Sequence, residues 1–575
     1  MKSTSIIGAS NALLLLLLPL AAHAADVATI TLNQVGYLPA AHKLADAPAD
    51  AKDAFAVEDA ASGKVVFSGK LGAAAEWKPA GQPVRIADFS TLRTPGHYRL
   101  RIDGLPPSDP FAIGDNAYAA LAAAALKAFY FNRASIALDK QHAGIYARAA
   151  GHPDDIVLVH ASAASATRPA GTVISSSRGW YDAGDYNKYV VNAAVSTHQL
   201  LDAYEQFPQV FNTQRLDIPE SGNGAPDILN EAWWNLQWLL TMQDPDDGGV
   251  YHKLTTLDFS GFVMPDQDRA PRYVVQKSTA AALDFAAVMA QASRVYATFG
   301  TQFPGASQRM LAAARRAWAW AQQHPNAIYV QPPDVHTGVY GGEHLDGEFA
   351  WAAAELFLST REPAFFDAFV ARKQNAGVPS WESVAAFAWL SLAAHGQALA
   401  TPAQRAQVQA QVLGVADDLL REWKASAYAV AMEGPDFDWG SNAVVLNRAV
   451  VLVQAYRLSK QHAYLDAAQS QLDYVLGRNP LGRSFVTGFG ARPPLHIHHR
   501  VSASDGIDAP VPGWLAGGAN PGQQDHRGDG SCKQPYPSAL PALSYLDATC
   551  SYASNEVAIN WNAPLVYVTA ALSAE

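Results

Sequence analysis

The first hundred residues carry short apolar runs with β-like spacing. Thr29-Ile30-Thr31-Leu32 alternates, and Lys64-Val65-Val66-Phe67 and Gly96-His97-Tyr98-Arg99-Leu100-Arg101-Ile102 follow, separated by Gly, Pro and Asp turns. Such runs predict a small all-β sandwich over residues 26–113. Near Asp115 the period lengthens. Residues 117–131 are rich in Ala and Leu at helical spacing. Further helical stretches are predicted at 193–204, 228–242, 279–296, 308–322, 348–359, 383–399, 403–423, 443–458 and 463–476. A last helix is predicted at 564–572, with Pro564 near its start, where a missing N–H costs nothing. Residues 114–575 therefore read as one large all-α domain, and a toroid of helix pairs buries that many apolar faces economically. Long Gly/Pro-rich loops, such as 502–547, are where such a scaffold carries function.

The N-terminus has a different pattern. Lys2 precedes a short apolar core at 12–20, and Ala22-His23-Ala24 fits a small-x-small cleavage site. Residues 1–24 thus read as an export signal, with a retained anchor as the alternative, and the mature chain is expected to be periplasmic or secreted. The 575 residues are 49% hydrophobic and 16% charged, which argues for buried volume and at least two domains. The net charge of −11 has no basic run beside it, so neither nucleic acid nor membrane is the expected partner. Fourteen Trp and 22 Tyr suit a neutral, ring-shaped ligand better than a phosphate. Cys532 and Cys550 are the chain's two cysteines; in an oxidising compartment they are expected to pair, the alternative being two thiols.

Candidate chemistry gathers in three segments. Gly179-Trp180-Tyr181-Asp182-Ala183-Gly184-Asp185-Tyr186 sets two carboxylates three residues apart among aromatics. Capping of the helix that follows is the plain structural reading, and it would also hold a carboxylate ionised. Tyr552-Ala553-Ser554-Asn555-Glu556 offers a second acid, with apolar Val557, Ile559 and Trp561 to raise its pKa, and Asp547 lies upstream. An ionised and a protonated carboxylate are what glycosidic hydrolysis needs. The third segment, 484–500, ends in His496-Ile497-His498-His499-Arg500. Metal binding is one option there, and hydrogen bonding to sugar hydroxyls fits better. Among the tryptophans, Trp180, Trp381, Trp514 and Trp561 lie in or beside predicted loops and are candidates for stacking on sugar; Trp439 reads as core.

On these motifs the chain resembles glycoside hydrolase family nine, the cellulase family with an (α/α)6 barrel and an N-terminal immunoglobulin-like domain. Asn33-Gln34-Val35-Gly36-Tyr37 is similar to the opening of that domain, Trp180–Tyr186 to the base-bearing motif, 476–500 to the histidine signature, and 545–563 to the acid signature. The resemblance implies Asp185 as general base, Asp182 as the holder of the attacking water, Glu556 as general acid and an inverting reaction. It also implies that His498, Arg500 and Tyr552 bind flanking sugars, and that Asp547 supports the site; Trp180 and His499 are further candidates for sugar contact. Many relatives carry a Cys/His zinc cluster before the base motif, but residues 151–160 hold no cysteine. Calcium near 337–348 is a structural option, with Asp346 and Glu348 as ligands; the chemistry itself requires no cofactor.

The implied activity is an endo-β-1,4-glucanase on cellulose or soluble β-glucans, acting as a monomer. The alternative is an exo-acting cellodextrinase or glucosaminidase on short β-1,4-oligosaccharides. A non-catalytic glycan-binding protein would be expected to lose Asp185 or Glu556, and both are present.

Overall fold

Period-two alternation produces the strands of the first domain: in Gly96–Ile102, for example, Tyr98, Leu100 and Ile102 are buried and the residues between them are not. The computed structural model describes residues 29–575, so the predicted export signal lies outside the described residues. Nine strands form two sheets. One has the order β1 (Thr31–Leu32), β3 (Leu44–Pro48), β7 (Gln82–Asp88), β6 (Ala75–Trp77). The other has the order β2 (Gly36–Tyr37), β9 (Phe111–Ile113), β8 (Gly96–Ile102), β4 (Ala54–Asp59), β5 (Val65–Lys70). Side chains from both sheets, among them Leu32, Ala45, Val57 and Leu100, share one apolar core. The sandwich expected from the sequence is therefore present.

Residues 119–574 contain twelve helices of nine residues or more among the described residues. In chain order they are α1 (Ala119–Phe131), α2 (Val190–Gln206), α3 (Asp227–Thr241), α4 (Thr279–Tyr296), α5 (Ala306–Gln323) and α6 (Asp346–Thr360). Then come α7 (Pro363–Ala371), α8 (Ala385–Ala394), α9 (Pro402–Ala425), α10 (Ser441–Ser459), α11 (His462–Val475) and α12 (Ile559–Ala574). The even-numbered helices pack each on the next, and α12 packs back on α2. Each also packs against an odd-numbered helix: α3 on α2, α5 on α4, α7 on α6, α9 on α8, α11 on α10 and α1 on α12.

The two classes differ in sequence as their positions require. In α4 every residue but Arg294 is buried, so it is apolar or small nearly all round. In α9 only Val408, Val412, Ala416, Leu419 and Leu420 are buried, one stripe on a helix begun by a Thr401–Gln404 capping box. Two expectations need correction. Helix α7 was not predicted; it is short and buries only Phe365 and Phe369. Helix α12 starts at Ile559, so Pro564 lies inside it and not at its first turn.

Five short strands also join the helices: β10 (Val157–Val159), β11 (Val173–Ile174), β12 (Lys188–Tyr189), β13 (Lys253–Thr255) and β14 (Arg272–Val274), in the order β11-β10-β14-β13-β12. Strand β12 runs directly into α2, which fixes the segment before it, residues 182–187.

The two domains meet through the Asn33–Tyr37 segment. Asn33 Nδ2 donates to Asp473 Oδ1 at 2.8 Å, and Gln34 Nε2 donates to the Gly482 carbonyl at 2.8 Å. Gln34 Oε1 accepts from the amides of Ala491 and Arg492 at 3.0 and 3.1 Å. Trp77 packs on Tyr428, Phe437 and Tyr474 of the helical domain.

Candidate active site

One cleft of about 430 Å³ is lined largely by residues on the approaches to inner helices or within their first turns, with Phe259 and Gln524 from longer loops. Asp182 and Asp185 precede α2, Tyr340 precedes α6, Trp381 precedes α8, Trp439 precedes α10, and Glu556, Asn560 and Trp561 flank the start of α12. Alternation of inner and outer helices gives the inner ones a common direction, so their N-termini gather at one end. Unpaired N–H groups and the helix dipoles make that end favourable for negative charge.

Within the cleft, each carboxylate is held by a different set of donors. Asp182 Oδ1 accepts from Asn192 Nδ2 at 2.8 Å, and its Oδ2 from the Tyr340 hydroxyl at 2.7 Å. Asp185 Oδ2 accepts from Asn187 Nδ2 at 2.7 Å and the Tyr189 hydroxyl at 3.1 Å. Neither aspartate caps α2, whose N-cap is Tyr189 with no side-chain cap, so the capping expectation is corrected. Burial first, and the Asp185 charge second, push Asp182 well above the usual carboxylate range, the opposite of what capping would do. Glu556 Oε1 accepts from the Gly184 amide at 3.3 Å. Burial and the Asp185 charge push Glu556 up to about 8, against the opposing Arg500. Asp185 and Glu556 thus share one cleft while Glu556 stays protonated at neutral pH.

Gly184 joins these groups. Its carbonyl accepts from the Arg500 amide at 3.0 Å and from the Arg500 guanidinium at 2.8 Å. The same guanidinium reaches the Ser260 carbonyl and lies over Phe259 and Phe262. His498 Nδ1 donates to the Thr549 carbonyl at 2.7 Å, which fixes the tautomer. Burial, with Arg500 nearby, pushes His498 down to about 4, so the ring is neutral and Nε2 can accept. The Tyr552 hydroxyl donates to Asp529 at 2.9 Å, and its ring lies 5.1 Å from that of Trp439.

Both domains match family models. The "Glycosyl hydrolase family 9" model covers residues 118–569, and the "Cellulase N-terminal ig-like domain" model covers 25–106. The chain belongs to glycosyl hydrolase family 9. It is a glycoside hydrolase. Its relatives include a xyloglucan-specific endo-β-1,4-glucanase of Bacteroides ovatus, 45% identical over 95% of this chain and 94% of the relative. Endoglucanase D of Acetivibrio thermocellus is 31% identical over 94% of this chain and 83% of its own. A solved Bacteroides ovatus GH9 structure superposes with a TM-score of 0.88 at 43% identity, covering 95% of this chain and 99% of that one.

Several residues of this family 9 chain lie away from their expected places. Trp180 is buried against Phe129, and its Nε1 donates to Glu231 at 2.8 Å, so it offers no sugar face. Trp514 is buried too, while Trp381 and Trp561 do line the cleft. Trp439, read as core, is 46% exposed and lines the cleft. His499 points inward to Asn132 and Ser502, and burial pushes it down to about 3. Asp547, expected to support the site, accepts from Arg483, from the amides of Leu495 and His496, and from Asn555; it braces the segment beneath His498.

At the calcium option, Asp346 pairs with Arg372 at 2.9 Å, and no group of three or more ligand-type side chains gathers among the described residues. In the segment before the base motif, Asp154 meets Lys188 at 2.7 Å and Arg272 at 2.8 Å. Cys532 and Cys550 form a disulfide. Sequence reasoning missed Tyr340, Asn192, Asn187 and Tyr189, the donors that hold the two aspartates. Tyr189 and Asn187 stand within reach of the motif, whereas nothing local marks Tyr340.

Proposed function

We propose that the protein is an inverting endo-β-1,4-glucanase built on an (α/α)6 barrel. The observation that carries the reading is the shared cleft, in which Asp185 faces a protonated Glu556 beneath a rim of tryptophans. Asp185 takes a proton from water as that water attacks the anomeric carbon. Asp182, its carboxyl set by Asn192 and Tyr340, orients the water. Glu556 gives its proton to the departing glycosidic oxygen. One displacement by water inverts the anomeric centre. His498 and Arg500 brace Gly184 and Glu556 from behind, and Trp381, Trp439 and Trp561 offer faces for sugar rings. The cyclic packing of α2, α4, α6, α8, α10 and α12 supports the barrel.

The name of one relative, a xyloglucan-specific endo-β-1,4-glucanase, supports xyloglucan as a further candidate substrate beside cellulose and soluble β-glucans. Export to the periplasm or medium follows from the N-terminal pattern, and the disulfide fits an oxidising compartment. The test is a product profile on hydroxyethyl-cellulose, xyloglucan and cellohexaose. A rapid viscosity drop with α-anomeric products is expected. Release of monomer or dimer without viscosity loss would replace the endo reading by the exo one.

A further inference from the structure

Beneath the cleft, Lys253 is fully buried, with no carboxylate in contact among the described residues. Its Nζ donates to the Gly338 carbonyl at 2.6 Å, to Thr337 Oγ1 at 3.0 Å and to Gln331 Oε1 at 3.0 Å. It lies 5.5 Å from the Tyr189 ring centroid and 5.6 Å from that of Tyr329. Strand register places Lys253 directly opposite Tyr189. A buried ammonium held only by neutral acceptors is costly unless a nearby charge compensates it.

We propose that Lys253 is a positioning residue that sets both catalytic aspartates and supplies the counter-charge for Asp185. The inference rests on the roles given to Asp185 and Asp182 above. Two connected paths carry it. Gly338, whose carbonyl Lys253 holds, donates its amide to the Tyr189 hydroxyl at 3.1 Å, and that hydroxyl donates to Asp185. Two residues on, Tyr340 reaches Asp182 from a left-handed backbone conformation with φ of 48°, which needs outside support. Lys253 therefore anchors the segment from which both hydroxyls are aligned.

The electrostatic part follows from the groups around the pair. Asp185 is faced by Asp182, Glu556, Tyr189 and Lys253, and Glu556 also by Arg500. Asp182 and Glu556 are both pushed up, by burial first and by the Asp185 charge second. On the other side, Lys253 has Tyr189, Tyr329 and the neighbouring His252 beside it; burial pushes His252 down to about 3 and so keeps it neutral. Burial pushes Lys253 down to about 7, with Asp185 the one charge opposing that shift. The attraction is mutual, so removing the ammonium removes a positive charge that Asp185 faces.

The experiment compares pH–rate profiles on cellohexaose for the wild type, Lys253→Met, Lys253→Gln, Lys253→Arg and Asp185→Asn, each checked by thermal melting. Both neutral variants are expected to move the acid limb to higher pH. They should also lower kcat by about ten- to a hundredfold with KM little changed. Lys253→Arg should return the limb toward wild type. A folded neutral variant whose lower kcat comes with an unmoved limb overturns the counter-charge, and unchanged kcat overturns the positioning. If neither neutral variant folds, Lys253 is a folding residue and the inference fails. Wild-type-like turnover in Asp185→Asn instead sinks the functional reading itself.

Discussion

Gly184 shows how tightly the site is drawn at the scale of single residues. A Cβ there would sit 2.3 Å from the His498 carbonyl oxygen and 3.1 Å from Glu556 Oε1, so only glycine lets the base loop touch the acid loop. Contact with that loop leaves Glu556 buried, and burial is the first cause of its raised pKa. The sign of the pH effect follows. A general acid must be protonated, so kcat/KM should fall as pH rises through about 8. Glu556→Gln should remove that limb and cost about 10²–10⁴ in kcat on cellohexaose. A dinitrophenyl cellobioside leaves without a proton, so the same variant should lose far less on it; equal losses on both substrates would refute the acid role. Asp182, Asp185 and Glu556 were legible in the sequence because acids set between aromatics and glycine stand out. Trp180 and His499 were not, because adjacent residues point in opposite directions: His498 reaches toward Tyr552 and His499 into the core.

Elements were legible in proportion to their burial. Inner helices are apolar nearly all round and outer ones carry a stripe, and both patterns survive in a single sequence. Helix α7 escaped because nine residues with two buried phenylalanines hardly form a pattern. The long loop 502–547 was recognised as functional, but its order comes from tertiary contacts. Asp525, fully buried, accepts from Tyr536 at 2.8 Å and from the Ala553 amide at 2.9 Å, and the Cys532 amide donates to its carbonyl. The disulfide thus ties the loop bearing Gln524 and Asp529 to the segment bearing Tyr552 and Glu556. Closing a loop of 18 residues is worth about 3 kcal/mol in chain entropy. Cys532→Ser/Cys550→Ser should therefore melt lower. Because Gln524 borders the cleft and Asp529 holds Tyr552 against the cleft's Trp439, its KM should also rise more than its kcat falls. Steady-state kinetics at a temperature where both forms are folded check this, and an unchanged KM would reduce the disulfide to a stability device.

At the scale of the molecule, the described residues of the sandwich contribute no side chain to the cleft, yet they brace a segment that leads there. Gln34 takes one carbonyl and two amides from residues 482–492, four residues short of His496. Gly477 adopts φ of 130° where a Cβ would lie 2.7 Å from the Leu32 carbonyl, so the helical domain is shaped to receive this strand. That role could not be read from the sequence, since Asn33-Gln34-Val35-Gly36-Tyr37 marks only the opening of the first domain until its partners, more than 400 residues away, are known. Gln34→Ala strands a carbonyl and two amides in a largely buried setting, which should cost about 1–3 kcal/mol. Urea unfolding measures that loss. If the sandwich acts only as ballast, kcat/KM at 25 °C stays at the wild-type value. Bracing predicts that it falls, because the loosened 482–492 segment carries Asp547's partners Arg483 and, just beyond, Leu495 and His496. Val66→Thr, on the exposed face of β5, is the matched control and should change neither quantity.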